Sequence, residues 1–268
     1  MIRSFLALAA LTALLPLAAE AQYAENTPAA KMEPSTPGIH LSYSSVHPDG
    51  PYIALTFDDG PGKTTTPRLL DLLAQRHIKV TFFVLGENAK DNPDIIKREL
   101  AEGHEIANHS WDHENLAKKS EEGLRSEIVK TQDAIFQITG TKPKVLRPPY
   151  GAITEHQKKW INEQFGLKVV LWEVDPNDWK KPGSSVIARR IVEGTRPGSI
   201  ILSHDIHAQT VDAMPEVLDG LLAKGFKFVT VSELIAMDHP VAKPSPSPAA
   251  ASAASAPAAS PAPKKKTN

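Results

Sequence analysis

The chain contains no cysteine. That absence excludes a disulfide scaffold, a thiolate metal site, a cysteine nucleophile and a lipid-modified N-terminal cysteine, so any metal must be held by histidine and carboxylate side chains. An excess of charge of one sign is also missing: 30 Lys and Arg stand against 31 Asp and Glu, a net of −1. No global field recommends nucleic acid or an anionic membrane as a partner. The apolar run Phe5–Ala19 is 15 residues long, short of the roughly 20 that span a bilayer. No G-x-G-x-x-G follows the first predicted strand, no H-E-x-x-H is present, and no internal repeat is visible. These absences argue against a dinucleotide-binding sheet and a zinc peptidase of the common type.

What is present is a chain of 268 residues, 41% hydrophobic and 23% charged, the profile of one soluble globular domain with extensions. Arg3, the run Phe5–Ala19 and Ala19-Glu20-Ala21 form, in order, a positive start, a hydrophobic stretch and an A-x-A site. This predicts a signal peptide over residues 1–21 cleaved near Ala21, export to the periplasm or beyond, and a mature chain with no transmembrane anchor. An uncleaved anchor is the competing reading, and Pro16 with its Ala-rich flank suits cleavage better. Residues 22–48 are rich in Pro, Ser and Thr, and residues 240–268 collapse to Pro, Ala, Ser and Lys. Such segments bury too little apolar surface to offset ordering, so a flexible linker and a disordered tail are expected. The tail carries Lys243, Lys264, Lys265 and Lys266 and no acid. It could touch anionic envelope polymers, although a solvated tail without a partner is the simpler expectation.

The remaining stretch, 49–239, is long enough for one sizeable core. β-branched or aromatic runs alternate with amphipathic stretches: strands at Tyr52–Phe57, Val80–Leu85, Glu105–Asn108, Lys144–Arg147, Val169–Trp172, Ser199–Leu202 and Phe226–Val231. Helices fall near Pro67–Gln75, Pro93–Glu102, Glu121–Ile138, Glu155–Gln164, Ser185–Glu193 and Val211–Ala223. Strand–helix alternation implies parallel strands with helical crossovers. Seven strands in so short a span predict an α/β barrel smaller than the eight-stranded form, with an open doubly wound sheet as the alternative.

Reactive side chains recur at the C-terminal ends of these strands. They are Asp58-Asp59-Gly60-Pro61, Asn108-His109-Ser110-Trp111-Asp112-His113, Arg147-Pro148-Pro149-Tyr150-Gly151, Asp175-Pro176-Asn177-Asp178-Trp179 and Ser203-His204-Asp205. In a parallel barrel those ends share one face, where sites are built. His109 and His113 are spaced i, i+4, which on a helical turn lets both imidazoles share a metal ion, with a third ligand from Asp58-Asp59. Each motif alone has an innocent explanation: Asp-Gly is turn chemistry, His204 follows a buried-looking run and could be a satisfied core histidine, and Trp179 could be a core aromatic. Two adjacent anions after an apolar strand nevertheless repel each other unless cations compensate, and a divalent ion at Asp59 with Arg147 beside Asp58 is a coherent remedy.

Taken together, in order and at sensible spacing, the five segments resemble the polysaccharide deacetylase family, the carbohydrate esterase group named for its NodB homology domain, over about Tyr52 to Ala236. The resemblance implies a distorted, roughly seven-stranded (β/α) barrel of the NodB type. It implies Asp58 as catalytic base, and Asp59, His109 and His113 as ligands of one divalent ion, usually zinc. Two imidazoles and a carboxylate also accept Co2+ or Ni2+. By the same resemblance Arg147 holds and orients Asp58, the Tyr150 backbone N–H helps form an oxyanion hole, Leu202 lines an acetyl-methyl pocket, His204 is the general acid and Trp179 forms a wall of the sugar groove. Both Asp175 and Asp178 are available to partner His204, and Asp178, next to Trp179, is the one assigned. The implied activity is metal-dependent removal of N-acetyl groups from an N-acetylglucosamine-containing polysaccharide or oligosaccharide, peptidoglycan ahead of chitin-like oligomers. An O-acetyl xylan esterase and a catalytically inactive exported carbohydrate-binding protein are the alternatives.

Overall fold

The structure, a computed structural model, describes residues 40–239. The predicted signal peptide and its cleavage site, residues 22–39 of the predicted linker, and the predicted tail with its lysines lie outside the described residues. Among the described residues eight strands and eight helices follow in the order β1 Ser42–Tyr43, β2 Tyr52–Asp58, α1 Thr65–Ala74, β3 Thr81–Val84, α2 Gly86–Asp91, α3 Pro93–Ala101, β4 Glu105–Asn108, α4 Glu121–Thr139, β5 Val145–Leu146, α5 Glu155–Phe165, β6 Lys168–Val170, α6 Ser184–Gly194, β7 Ile200–Ile201, α7 Ala208–Ala223, β8 Lys227–Phe228 and α8 Val231–Ala236. Single 3-10 turns lie at Leu116–Lys118, Pro149–Gly151 and Asp178–Lys180. Among the described residues no helix is long and apolar enough to cross a membrane.

All seven predicted strands are present and every ladder between them is parallel, in the order β1-β6-β5-β4-β3-β2-β7, with β8 pairing the start of β2. The sheet closes through single bridges rather than a continuous ladder: Val174, just past β6, pairs with Ile201, and Ser45 pairs with Ser199. This is the distorted barrel expected. Two boundaries differ: of the predicted strand Phe226–Val231 only Lys227–Phe228 is strand and Val231 opens α8, and the domain begins before residue 49. The predicted linker reached residue 48, yet β1 pairs β6 at Ser42–Val169 and Tyr43–Val170, and Val46 donates to Gly198 O at 3.0 Å. A two-residue strand flanked by Ser and Pro carries too little pattern to stand out from a linker.

Side chains alternate across each strand. Ile53, Leu55 and Phe57 face outward into the core shared with α1, α6 and α7, where Phe57 stacks on Phe82 at 5.6 Å between ring centroids. Leu146 and Val169 face α4 and α5. The other face fills the barrel with Ala54, Phe83, Ala107, Val145, Val170 and Ile200, and Val231, Leu234 and Ile235 of α8 pack against them. Each buried Val, Leu, Ile or Phe among them contributes on the order of 1.5–3 kcal/mol. The helices have local reasons to start and stop. Ser120 caps α4 by accepting from Gly123 N, Leu124, Ile128, Thr131 and Ile135 form its buried stripe, and Gly140 at φ 70° ends it. Thr154 and Gln157 form a capping box on α5.

Candidate active site

The alternation that fills the barrel also aims its upper rim. On β2, Ala54, Thr56 and Asp58 share the interior face; beyond Ala107 on β4 the next inward position is His109; beyond Val145 on β5 it is Arg147; beyond Ile200 on β7 come Leu202 and His204. Residues distant in sequence therefore meet at the C-terminal mouth of the barrel. The backbone joins them as well: Asp58 N donates to Ser203 O at 2.9 Å, and Asp58 pairs with His204 as a parallel bridge.

Asp59, His109 and His113 form the centre. Asp59 Oδ1 lies 3.3 Å from Nε2 of His109 and 3.3 Å from Nε2 of His113, and the ligand atoms of the three lie within 4.8 Å of one another. His109 Nδ1 sits 2.7 Å from the Arg147 carbonyl. A carbonyl only accepts, so that nitrogen carries a proton and Nε2 is the ring atom that faces Asp59. Asp59 Oδ1 is buried with no hydrogen-bond partner. A buried orphan carboxylate oxygen facing imidazole nitrogens is costly without a cation and well matched to one, so these residues fit a divalent ion. Burial alone would raise the Asp59 carboxyl, but the His109 imidazole, with the charges of His204 and His113, holds it down at about 2. Burial pushes His113 below the ordinary histidine value, which favours the neutral ring a metal needs.

The two histidines do not share a helix, as their spacing had suggested. They sit on a loop in which Ser110 and His113 have φ of 70° and 65°. Asn108 Oδ1 accepts from Ser110 N, Ser110 Oγ accepts from His113 N, and Glu127 Oε2 accepts from Trp111 N. This turn, rather than an α-helical period, brings the imidazole centroids to 5.2 Å.

On one side of the centre Arg147, with no exposed surface, donates from Nη1 to Asp58 Oδ1 at 2.7 Å and to Thr56 Oγ1 at 2.6 Å, and from Nη2 to Leu171 O at 3.0 Å. Its guanidinium lies 4.1 Å from the Phe83 ring centroid, so the cation rests on the aromatic floor of the barrel. Asp58 Oδ2 is 3.8 Å from His109 Nε2. On the other side His204 Nδ1 and Asp178 Oδ1 are 2.8 Å apart, and Asp178 Oδ2 accepts from His204 N and Thr210 Oγ1, both at 2.8 Å. Asp175 is exposed and accepts from Asn177 N in its own turn, so it does not compete for His204. Burial would lower His204, but the hydrogen bond and charge of Asp178, aided by Asp58 and Asp59, raise it to about 9.

Tyr150 and Trp179 are exposed at 69% and 52%, and the Tyr150 ring stands edge-on to His113 at 4.6 Å; Leu202 is buried. Tyr150 itself has φ 60° inside its 3-10 turn. All the predicted site residues thus collect at one mouth. Sequence reasoning missed Thr56 and Thr210, which bond the two charge pairs. Thr56 is two residues before Asp58 on one strand and so shares its face, a signal present in the sequence; Thr210, in the first turn of α7, has none.

The family described as Polysaccharide deacetylase matches residues 45–170. The chain is 44% identical over 182 residues to the peptidoglycan-N-acetylglucosamine deacetylase PgdA of Listeria monocytogenes, covering 68% of this chain, and it spans 38% of that protein's length. It is 45% identical over 193 residues to a peptidoglycan-N-acetylglucosamine deacetylase of Bacillus cereus, covering 69% of this chain and 70% of the relative. Among solved structures, the Bc1960 peptidoglycan N-acetylglucosamine deacetylase superposes with a TM-score of 0.70 at 41% identity, covering 72% of this chain and 92% of that one. With the barrel and its mouth built as described, the chain belongs to the polysaccharide deacetylase family.

Proposed function

We propose that the protein is a metal-dependent N-deacetylase that hydrolyses the acetamide of N-acetylglucosamine residues in peptidoglycan. The observation that carries this reading is the orphan Oδ1 of Asp59 between two imidazoles, flanked by the Arg147–Asp58 pair on one side and the Asp178–His204 pair on the other. The names of the relatives support the substrate class. A divalent ion held by Asp59, His109 and His113, zinc in the first instance, would supply Lewis-acid polarisation of the acetamide carbonyl and a lowered pKa for water.

The chain's own residues divide the remaining work. Asp58, held by Arg147 with one oxygen left toward the site, accepts the proton of the attacking water. The Tyr150 backbone N–H donates to the oxyanion that forms as the carbonyl carbon becomes tetrahedral. His204, charged at neutral pH, donates its proton to the departing sugar nitrogen, so the C–N bond breaks to give acetate and a free amino sugar. Asp178 orients that imidazole, Leu202 walls the acetyl methyl and Trp179 a face of the sugar. The same reading keeps residues 1–21 as a signal peptide, residues 49–239 as the core of the deacetylase domain and an exported site of action.

Acetate release from peptidoglycan, chitooligosaccharides and acetylated xylan, with and without chelator, tests this reading. Release from the first that chelation abolishes and zinc restores is expected. Release from acetylated xylan alone would replace N- with O-deacetylation. In Asp58→Asn, turnover should drop by about 10²–10⁴-fold with metal retained; near-wild-type release would refute its role as base.

A further inference from the structure

A cavity of about 540 Å³ opens beside the metal-site loop, lined by His113, Glu114, Asn115, Lys118, Lys119 and Tyr150. It adjoins the deacetylation centre through His113, so a glycan with one sugar at the centre would place a neighbouring residue here. The cavity's polar groups are not equally free. Lys119 is held by Glu114 and lies 3.6 Å from Glu127, which commits both the lysine and the cavity's carboxylate. Asn115 Oδ1 accepts from Ala117 N at 3.0 Å, which leaves its amide N–H groups as donors. Lys118 is exposed and has no acidic partner among the described residues. The groups left uncommitted are therefore donors, one of them a full cation. They are also held in place: Leu116 is buried, and Gln157 of α5 donates to Leu116 O at 2.8 Å and to Lys119 O at 3.4 Å, pinning the 3-10 turn that carries Lys118. A preorganised donor set loses less ordering entropy on binding an anion.

We propose that this cavity is a subsite for a carboxylate-bearing residue next to the N-acetylglucosamine being deacetylated, with Lys118 as the specificity-determining side chain. The inference rests on the peptidoglycan reading and deepens it. In that polymer the neighbouring sugar carries a lactyl ether whose carboxylate is either free or extended by a stem peptide with carboxylates of its own; a chitin-like chain has none. Neither the neighbouring sugar's charge nor Lys118 enters the proton transfers described above.

The test compares binding by titration calorimetry of four probes to the full metal-loaded chain. These are an N-acetylglucosaminyl-N-acetylmuramic acid oligomer with free lactyl carboxylates, the same oligomer bearing stem peptides, and the amidated counterpart of each. The wild type should prefer a free acid over its amide by about fivefold, the scale of one partly exposed ion pair. In Lys118→Ala that preference should fall to about one, and in Lys118→Glu it should invert. A preference confined to the peptide-bearing pair assigns the stem carboxylate, one confined to the unextended pair assigns the lactyl group, and one seen in both pairs assigns a subsite that takes either carboxylate. No preference in the wild type, or one that survives in Lys118→Ala, overturns the proposal. Acetate release measured on the same samples keeps the two readings apart: preference without release contradicts the deacetylase and sustains the subsite, and release without preference does the reverse.

Discussion

At the scale of single residues, the site separates two carboxylate environments by what each faces. Asp58 is matched by a buried guanidinium, whereas Asp178 is matched by an imidazole it helps to charge. His204, raised to about 9, enters neutral solution as the imidazolium, a loaded proton donor. Acetate release should therefore decline as pH rises through about 9. Asp178→Asn removes the anion that holds the proton, so the alkaline limb of kcat/KM should move to lower pH, and a limb that stays put would remove His204 from the role of acid. The stability linkage has the same sign: the pair's contribution is complete below the ordinary histidine value and lost as pH climbs through about 9. Glu99 on α3 shares that sign for a different reason. It has no exposed surface, neither carboxylate oxygen has a partner, and burial, with the charge of Asp205, pushes it well above the ordinary value. Asp205 is itself raised to about 7 by burial, against the hydrogen bond from Thr66. A carboxyl raised in the folded state costs stability as pH climbs above its unfolded value of about 4. Glu99→Gln should thus unfold at higher urea than the wild type at pH 7, with the gap closing toward pH 4. Equal midpoints at both pH values would contradict that account.

At the scale of elements, the barrel's weakest seam is its closure by isolated bridges, and one glycine permits it. Gly198 has φ +85°, and a Cβ there would stand 1.9 Å from Val46 O. Gly198→Ala must therefore strain the backbone and push the segment after β1 from β7, at a cost of about 1–3 kcal/mol. Chemical denaturation reads that loss, and a change below about 0.5 kcal/mol would show that the seam yields freely. The same contrast between strong and weak local pattern decides what the sequence made legible. The run Tyr52–Asp58 and the capped, periodic α4 declare themselves, because a seven-residue strand with six buried positions or five helical turns carry an unmistakable period. The two-residue β1, the six-residue α2 and the six-residue α8 do not: each spans less than two turns or one alternation, and each is fixed by what it packs against. The histidine pair shows the limit from the other side. Its residues were legible and its backbone was not, since a turn through positive φ at Ser110 and His113 reproduces the proximity that an i, i+4 helix would give. Strand alternation, once the register was known, aimed Asp58, His109, Arg147 and His204 inward without further instruction.

At the scale of the whole molecule, the site is assembled from strand ends that run from Asp58 to His204, so no local segment can hold it alone. The three candidate ligands come from two loops, after β2 and after β4, the strands that flank β3 in the sheet. An ion shared by them would link those loops in the folded state and would have no comparable site in the unfolded chain. At an ion concentration about 100 times its Kd the fold gains about 2.7 kcal/mol by mass action. For a domain of this size that corresponds to a rise in Tm of about 5–10 °C. Chelation should lower the melting temperature by that amount, zinc should restore it, and the titration should be independent of any glycan. His113→Ala, which removes one ligand from a half-buried position, should melt at one temperature whether or not chelator is present. Exhaustive chelation that leaves the wild-type melting curve unchanged would show that the Asp59 carboxylate is compensated within the protein, by protonated imidazoles in place of a bound cation.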